Sequence, residues 1–180
     1  MRYKDIRRYL KPYSIVASRT TTINHAFAAS IAPCDPYDDR RIREAICSLG
    51  QDPDVDLMCA YCGAEAETWD HVHATVKDKR FSGHGHRIGN LLPCCKPCNS
   101  KKGNKDWRAF LLGLHMSEHL RSERESRIGV YLNRLCAIDP LPEHLPEYLE
   151  LQELHRQVLE LFRQADVLAS TIRSKPGAVL

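Results

Sequence analysis

No run of apolar residues in this 180-residue chain approaches the roughly 20 needed to cross a bilayer. The first residues, MRYKDIRRYLKPYS, are basic but have no apolar stretch behind them, so a secretory leader is not expected. Internal repeats and low-complexity tracts are missing as well. These absences argue against a membrane span, a solenoid and a disordered tail, and the expectation is a soluble, cytoplasmic protein. Hydrophobic residues make up 43% and charged residues 27%, a balance that builds a packed core rather than a disordered chain. The net charge is only +3, but it is unevenly spread. Between Lys77 and Arg108 nine lysines and arginines face two aspartates, and the rest of the chain is net negative. Positive charge focused on one segment suits a polyanion, of which nucleic acid is the commonest.

What the chain does have is cysteine, eight in all. Without an export signal, paired C-x2-C motifs point to zinc rather than to disulfides. Cys59-x2-Cys62 and Cys95-x2-Cys98 are separated by 32 residues. Each such turn presents two thiolates at adjacent corners of a tetrahedron, and two turns close a four-thiolate site with no open position for substrate. The zinc is then structural. It clamps the start of a strand to the start of a helix in a module too short for a large core. Cys94 precedes Cys95, but only Cys95 keeps the C-x2-C register with Cys98. A redox dithiol is the blander alternative. Cys34, Cys47, Cys94 and Cys136 read as small buried thiols.

Three zones follow one another. Residues 1–55 read as a helical N-terminal region. TTTINHAFAASIAP forms one helix, from its threonines to Pro33; DPYDDRRIREAICSLG forms another, with Asp35 as N-cap, Pro36 at the first helical position and Gly50 past the end. Residues 56–113 hold the Cys/His core. ETWDHVHATV reads as a strand, RFSGHGH as a turn and RIGNLLP as the return strand, after which Trp107, Phe110, Leu111 and Leu114 fall at helical spacing. Residues 114–180 read as a C-terminal helical hairpin. Ile128, Tyr131, Leu132 and Leu135 share one face of its first helix. In its second, Leu151, Leu154, Val158, Leu161, Ala165, Leu168 and Ile172 keep the spacing of an a/d seam. That seam serves either packing on the preceding helix or a homodimer through residues 147–172. The expected fold class is α+β, mostly helical.

Between the knuckles stands an Asp-His pair, and directly after the last ligand an asparagine. On a strand, the side chains of Asp70 and His71 leave opposite faces, so one can meet a metal and the other a substrate. Asn99, expected to start a helix, is pinned by Cys98 to the zinc that anchors the strand. One carboxylate and one amide make a half-site for Mg²⁺, which keeps several waters and takes phosphate oxygens as its other ligands. A neutral histidine beside it can take a proton from water. Lys101 and Lys102, expected in the first turn of that helix, would hold a phosphate.

The series C-x2-C, DHVH, NLLPCCKPCNSKKG resembles the HNH, or ββα-metal, endonucleases of the zinc-clamped subtype, over about residues 57 to 112. The resemblance implies a ββα-metal core, a β-hairpin plus helix with structural zinc, flanked by N- and C-terminal helices. It implies hydrolysis of a DNA phosphodiester to a 5′-phosphate and a 3′-hydroxyl. His71 corresponds to the general base, Asp70 and Asn99 to the ligands of a catalytic Mg²⁺ or Mn²⁺, and Asn90 to an asparagine that braces the hairpin loop. Lys101 or Lys102 falls where the family places a basic group near the phosphate. His73, in a D-H-x-H pattern, is a further ligand, a phosphate contact or a plain strand histidine. His84 and His86 flank glycines in the expected turn and read as solvated or bonded to backbone, with DNA contact as the alternative. Many relatives carry a proline and a Gly-Gly turn where this chain has HATVKDKRFSGHGH. A bacterial or phage restriction or defence role is the expected setting. The reading set against it is a zinc-knuckle nucleic-acid-binding regulator without catalysis. An acid beside DNA phosphates repels them unless a cation sits between, which favours the enzyme.

Overall fold

The computed structural model describes residues 3–175. Among them the helices are α1 (Ile15–Ser30), α2 (Asp39–Ser48), α3 (Lys96–Lys102), α4 (Trp107–Leu112), α5 (Glu118–Leu135) and α6 (Pro146–Ser174). The strands are β1 (Thr68–His71), β2 (Val76–Lys77), β3 (Arg80–Phe81) and β4 (Leu91–Cys94). The fold is mixed α+β and mostly helical, as expected. Two compact units cut across the three zones read from the sequence. One spans Ala28–Leu141; the other joins the two ends of the chain, up to Phe27 and from Pro142 onward. No described helix is long and apolar enough to cross a membrane.

In the Ala28–Leu141 unit, β1 pairs antiparallel with β4, with Thr68 opposite Cys94, Asp70 opposite Leu92 and His71 opposite Leu91. α3 follows β4 at once and packs on β1, which completes a ββα arrangement. β1 is shorter than ETWDHVHATV suggests. After His71 only Val72 still reaches across, its N–H donating to the Asn90 carbonyl (3.0 Å). Beyond it a side-chain amide replaces the ladder. The return segment likewise opens with a 3-10 turn, Ile88–Asn90, before it becomes β4. β2 and β3 form a small hairpin absent from the sequence reading. Its turn residues Asp78 and Lys79 both have positive φ (51° and 67°), the geometry that suits a two-residue hairpin.

Helix starts also moved. α1 begins at Ile15, before the three threonines, because the Ser14 hydroxyl accepts from the Ala17 N–H (3.1 Å) and caps it earlier. α2 is capped by Asp38, which accepts from the Arg41 N–H, and not by Asp35. Asp35 is drawn away by Arg87 (3.0 Å) and the Ile88 N–H (2.9 Å). α3 starts at Lys96 rather than Asn99 and ends at Lys102, with Gly103 as its C-cap; α4 is a separate helix capped by Asp106. Trp107, Phe110 and Leu111 of α4 and Ile128, Tyr131 and Leu132 of α5 then bury against Ala45, Ile46, Tyr61 and Leu92. The α5 face matches the expected one. Of the four cysteines read as buried thiols, Cys94 is buried and Cys136 half-buried, but Cys34 and Cys47 are exposed.

In the other unit α6 packs with α1. Asp166 accepts from the Ser14 hydroxyl (2.8 Å) and from the Ile15 and Val16 N–H groups (2.7 and 3.1 Å), so one α6 carboxylate satisfies the free amides that open α1. His155 Nε2 lies 2.9 Å from Asn24 Oδ1, and its ring meets Phe27. Of the seam, Leu151, Val158 and Ala165 are half-buried. Leu154, Leu161, Leu168 and Ile172 are exposed.

Candidate metal centre and histidine site

The first knuckle is a tight turn closed by the Gly63 N–H donating to the Cys59 carbonyl (2.9 Å). Gly63 sits at φ +80°, which a side chain rarely adopts. The Ala60 N–H donates to the Pro93 carbonyl (2.9 Å), fixing this knuckle to β4. Cys95 is the N-cap of α3 and Cys98 lies in its first turn. The Sγ atoms of Cys59, Cys62, Cys95 and Cys98 all lie within 4.8 Å of one another, with Cys62 and Cys95 3.6 Å apart. A tetrahedral ion with bonds of about 2.3 Å needs its thiolates about 3.8 Å apart. The set fits, and these four cysteines could hold a structural metal such as zinc. Cys94 Sγ is 3.9 Å from that of Cys59, a fifth thiol beside the cluster and fully buried.

The acid of the Asp-His pair is not free. Asp70 is 3% exposed. Tyr61 donates its hydroxyl to Oδ2 (2.7 Å), and the Lys102 ammonium lies 2.9 Å from Oδ2 and 3.2 Å from Oδ1. The same ammonium donates to the His71 carbonyl (2.8 Å), and its side chain is wholly buried. Burial pushes the Asp70 carboxyl up, against the opposing pull of the Tyr61 hydrogen bond and the Lys102 charge. Burial and the neighbouring carboxylate push the Tyr61 phenol up in turn.

Two expectations are corrected here. Because α3 starts three residues early, Lys101 and Lys102 occupy its last turn, where the carbonyl end of the helix favours a cation. Lys102 therefore turns inward to Asp70 and does not face a phosphate; Lys101 remains exposed. The Mg²⁺ or Mn²⁺ half-site at Asp70 and Asn99 does not fit these residues as they stand, because an ammonium fills the place of the cation. Asn99 is half-buried in the middle of α3, its Nδ2 3.4 Å from Thr68 Oγ1 and from the Trp69 carbonyl.

His71 leaves β1 on the opposite face from Asp70. It is half-buried, with Nε2 2.9 Å from Nδ1 of His86. Burial first, then the His86 and Lys102 charges, hold it below the usual imidazole range. Asn90, 1% exposed, accepts from the His73 N–H (2.9 Å) and donates to the carbonyls of His73 (3.0 Å) and Gly85 (3.1 Å). One amide thus ties the chain leaving β1 to the chain entering β4. His73 stacks on His84, their centroids 4.4 Å apart, and burial lowers both imidazoles.

The end of RFSGHGH, read as a turn, and the start of RIGNLLP, read as a strand, are firmly anchored. The His86 N–H donates to Pro33 O (2.8 Å), and its carbonyl accepts from the Asp35 N–H (3.1 Å). Arg87 bridges Asp35 and Asp139. A Cβ on Gly85 would stand 2.2 Å from the Pro33 carbonyl, so only glycine allows this approach. The alternation Gly-His-Gly-His carried that signal, since glycines at every second position mark close backbone contact as well as turns. The basic segment is also less free than its composition implies: Arg87, Lys96, Lys102 and Arg108 are engaged in ion pairs. Lys77, Lys79, Arg80, Lys101 and Lys105 remain exposed. Compared with known proteins, the chain matches no family model, no curated protein and no solved structure.

Proposed function

We propose that the Ala28–Leu141 unit hydrolyses DNA phosphodiester bonds in the manner of the HNH endonucleases whose motif order it shares, in a restriction or defence setting. The observation that carries this is His71: a half-buried imidazole at the end of a strand, in a loop braced by Asn90, with burial holding it below the usual imidazole range. Such a group takes a proton from water at neutral pH. The hydroxide so formed attacks phosphorus in line with the 3′-oxygen; the P–O3′ bond breaks and the 3′-oxygen takes a proton from solvent water, leaving a 5′-phosphate and a 3′-hydroxyl. Exposed Lys101 supplies positive charge beside the strand being cut. A divalent cation, when bound, would supply further charge neutralisation. In this arrangement the Asp70 oxygens already hold the Tyr61 hydroxyl and the Lys102 ammonium.

The test is nicking of supercoiled plasmid with added Mg²⁺ or Mn²⁺. Wild type is expected to cut, and His71→Ala to lose about 10²- to 10⁴-fold in rate with zinc content unchanged. The alternative reading is a zinc-structured nucleic-acid-binding regulator, favoured by the Lys102–Asp70 pair, because a neutralised acid no longer repels DNA. Retarded plasmid with no cleavage under either metal decides for that reading.

A further inference from the structure

The loop between β3 and β4 carries an imidazole that the proposed reaction does not use. We propose that His86 is a positioning residue for His71: its Nδ1 accepts a hydrogen bond from Nε2–H of His71, which fixes the tautomer that leaves His71 Nδ1 bare. This rests on His71 as the proton acceptor.

Two ring nitrogens 2.9 Å apart require one proton between them. If His86 donated it, His71 would carry its own proton on Nδ1, and its other nitrogen would be blocked by the bond. It would then have no free lone pair for water. If His71 donates, its Nδ1 is a free acceptor. Only the second arrangement serves the reaction, and the pairing holds the ring while it does so. The rings meet edge to face, 70° apart with centroids at 4.9 Å, so contact is through the nitrogens rather than by stacking.

The anchoring of both partners supports a fixed pair. His86 is held by its own N–H and C=O, by Asn90 on the preceding carbonyl and by the Arg87 bridge on the following residue. On the other side, Lys102 grips the His71 carbonyl and the Asn90 amide holds His73. Two segments far apart in sequence are thus locked with their imidazoles in register.

The experiment is a long-range ¹H–¹⁵N correlation on the ¹⁵N-histidine-labelled full chain at neutral pH, without DNA, with ring signals assigned by His71→Ala and His86→Ala. Wild type is expected to show His71 protonated at Nε2 alone. His86→Ala should show a mixture of tautomers, and His86→Asn should restore the single one, since the asparagine carbonyl can stand where Nδ1 stood. In cleavage assays His86→Ala should lower kcat roughly tenfold or more with KM unchanged, and His86→Asn should recover most of the loss. A wild-type proton on His71 Nδ1 would overturn the proposal. So would a His71 tautomer unchanged in His86→Ala, or added Mn²⁺ broadening both ring signals at stoichiometric amounts, which would make the pair a cation site. The tautomer needs no turnover, so it stands or falls separately from the hydrolase reading.

Discussion

The two units of this chain hold themselves together differently. In Ala28–Leu141 a few polar side chains have several partners each: Lys102 meets Asp70 and the His71 carbonyl, Asn90 meets both ends of a loop, and Arg87 meets two carboxylates. In the unit made from the chain ends, one 29-residue helix holds α1 through a single carboxylate and a histidine, and leaves a row of leucines outside. Short strands cannot position a site by burial alone, so cross-links do it. A long helix needs only its period.

The largest expected effect follows from the thiolate cluster. Cys59, Cys62, Cys95 and Cys98 lie close enough for one ion to tie the first knuckle to α3. Structural zinc sites contribute on the order of 10 kcal/mol to folding. Chelation, or Cys62→Ser, is expected to unfold the Ala28–Leu141 unit while much of the α6 helicity survives. Circular dichroism reports the helix, and fluorescence of buried Trp107 reports the core. Loss of both signals together would dissolve the contrast between the units.

The parts legible in the sequence were those with a local signature. C-x2-C spacing gave the four cysteines, and the three- and four-residue periods gave the α5 face and the length of α6. The misread parts depended on partners distant in the chain. Asp35 has every local feature of an N-cap, yet Arg87 takes it. Lys102 reads as a phosphate contact until the start of α3 places it in the last turn, facing a buried acid. His86 reads as a turn residue because Pro33 and Asp35, its anchors, lie fifty residues earlier. The α6 seam gave the helix, whereas the contact with α1 within its unit rests on Asp166 and His155, which the period does not single out.

The Lys102–Asp70 pair gives the next effect. Removing one member of a buried pair strands the other, at a cost of about 3–5 kcal/mol, whereas replacing both is close to neutral. Lys102→Met should therefore lower the urea midpoint sharply, and adding Asp70→Asn should recover much of it. The pH dependence has a definite sign. Burial raises the Asp70 carboxyl, and without Lys102 nothing but Tyr61 opposes that rise. A raised folded-state value favours folding at low pH and loses that advantage as pH climbs through it. The deficit of Lys102→Met should thus narrow as pH falls. A deficit independent of pH would mean that the pair is not the source of the loss.

The smallest effect belongs to the looser unit. Asp166 is held below the usual carboxyl range, first by the Ile15 N–H and then by the Ser14 hydroxyl. A depressed value stabilises the fold above the unfolded carboxyl range and loses that contribution as pH falls through the folded one. Asp166→Asn removes the charge but keeps one acceptor, so α1 should fray only at its first turn. The expected result is faster amide exchange at Ile15 and Val16, with none at Val72 or Leu92, and a difference from wild type that fades in acid. The outcome sharpens the comparison. A polar contact in this unit secures one helix end and nothing more, whereas each comparable contact around His71 fixes two segments at once. If Asp166→Asn instead loosened residues throughout α1 and α6, the helical unit would depend on its own polar clamp as fully as the site depends on Lys102.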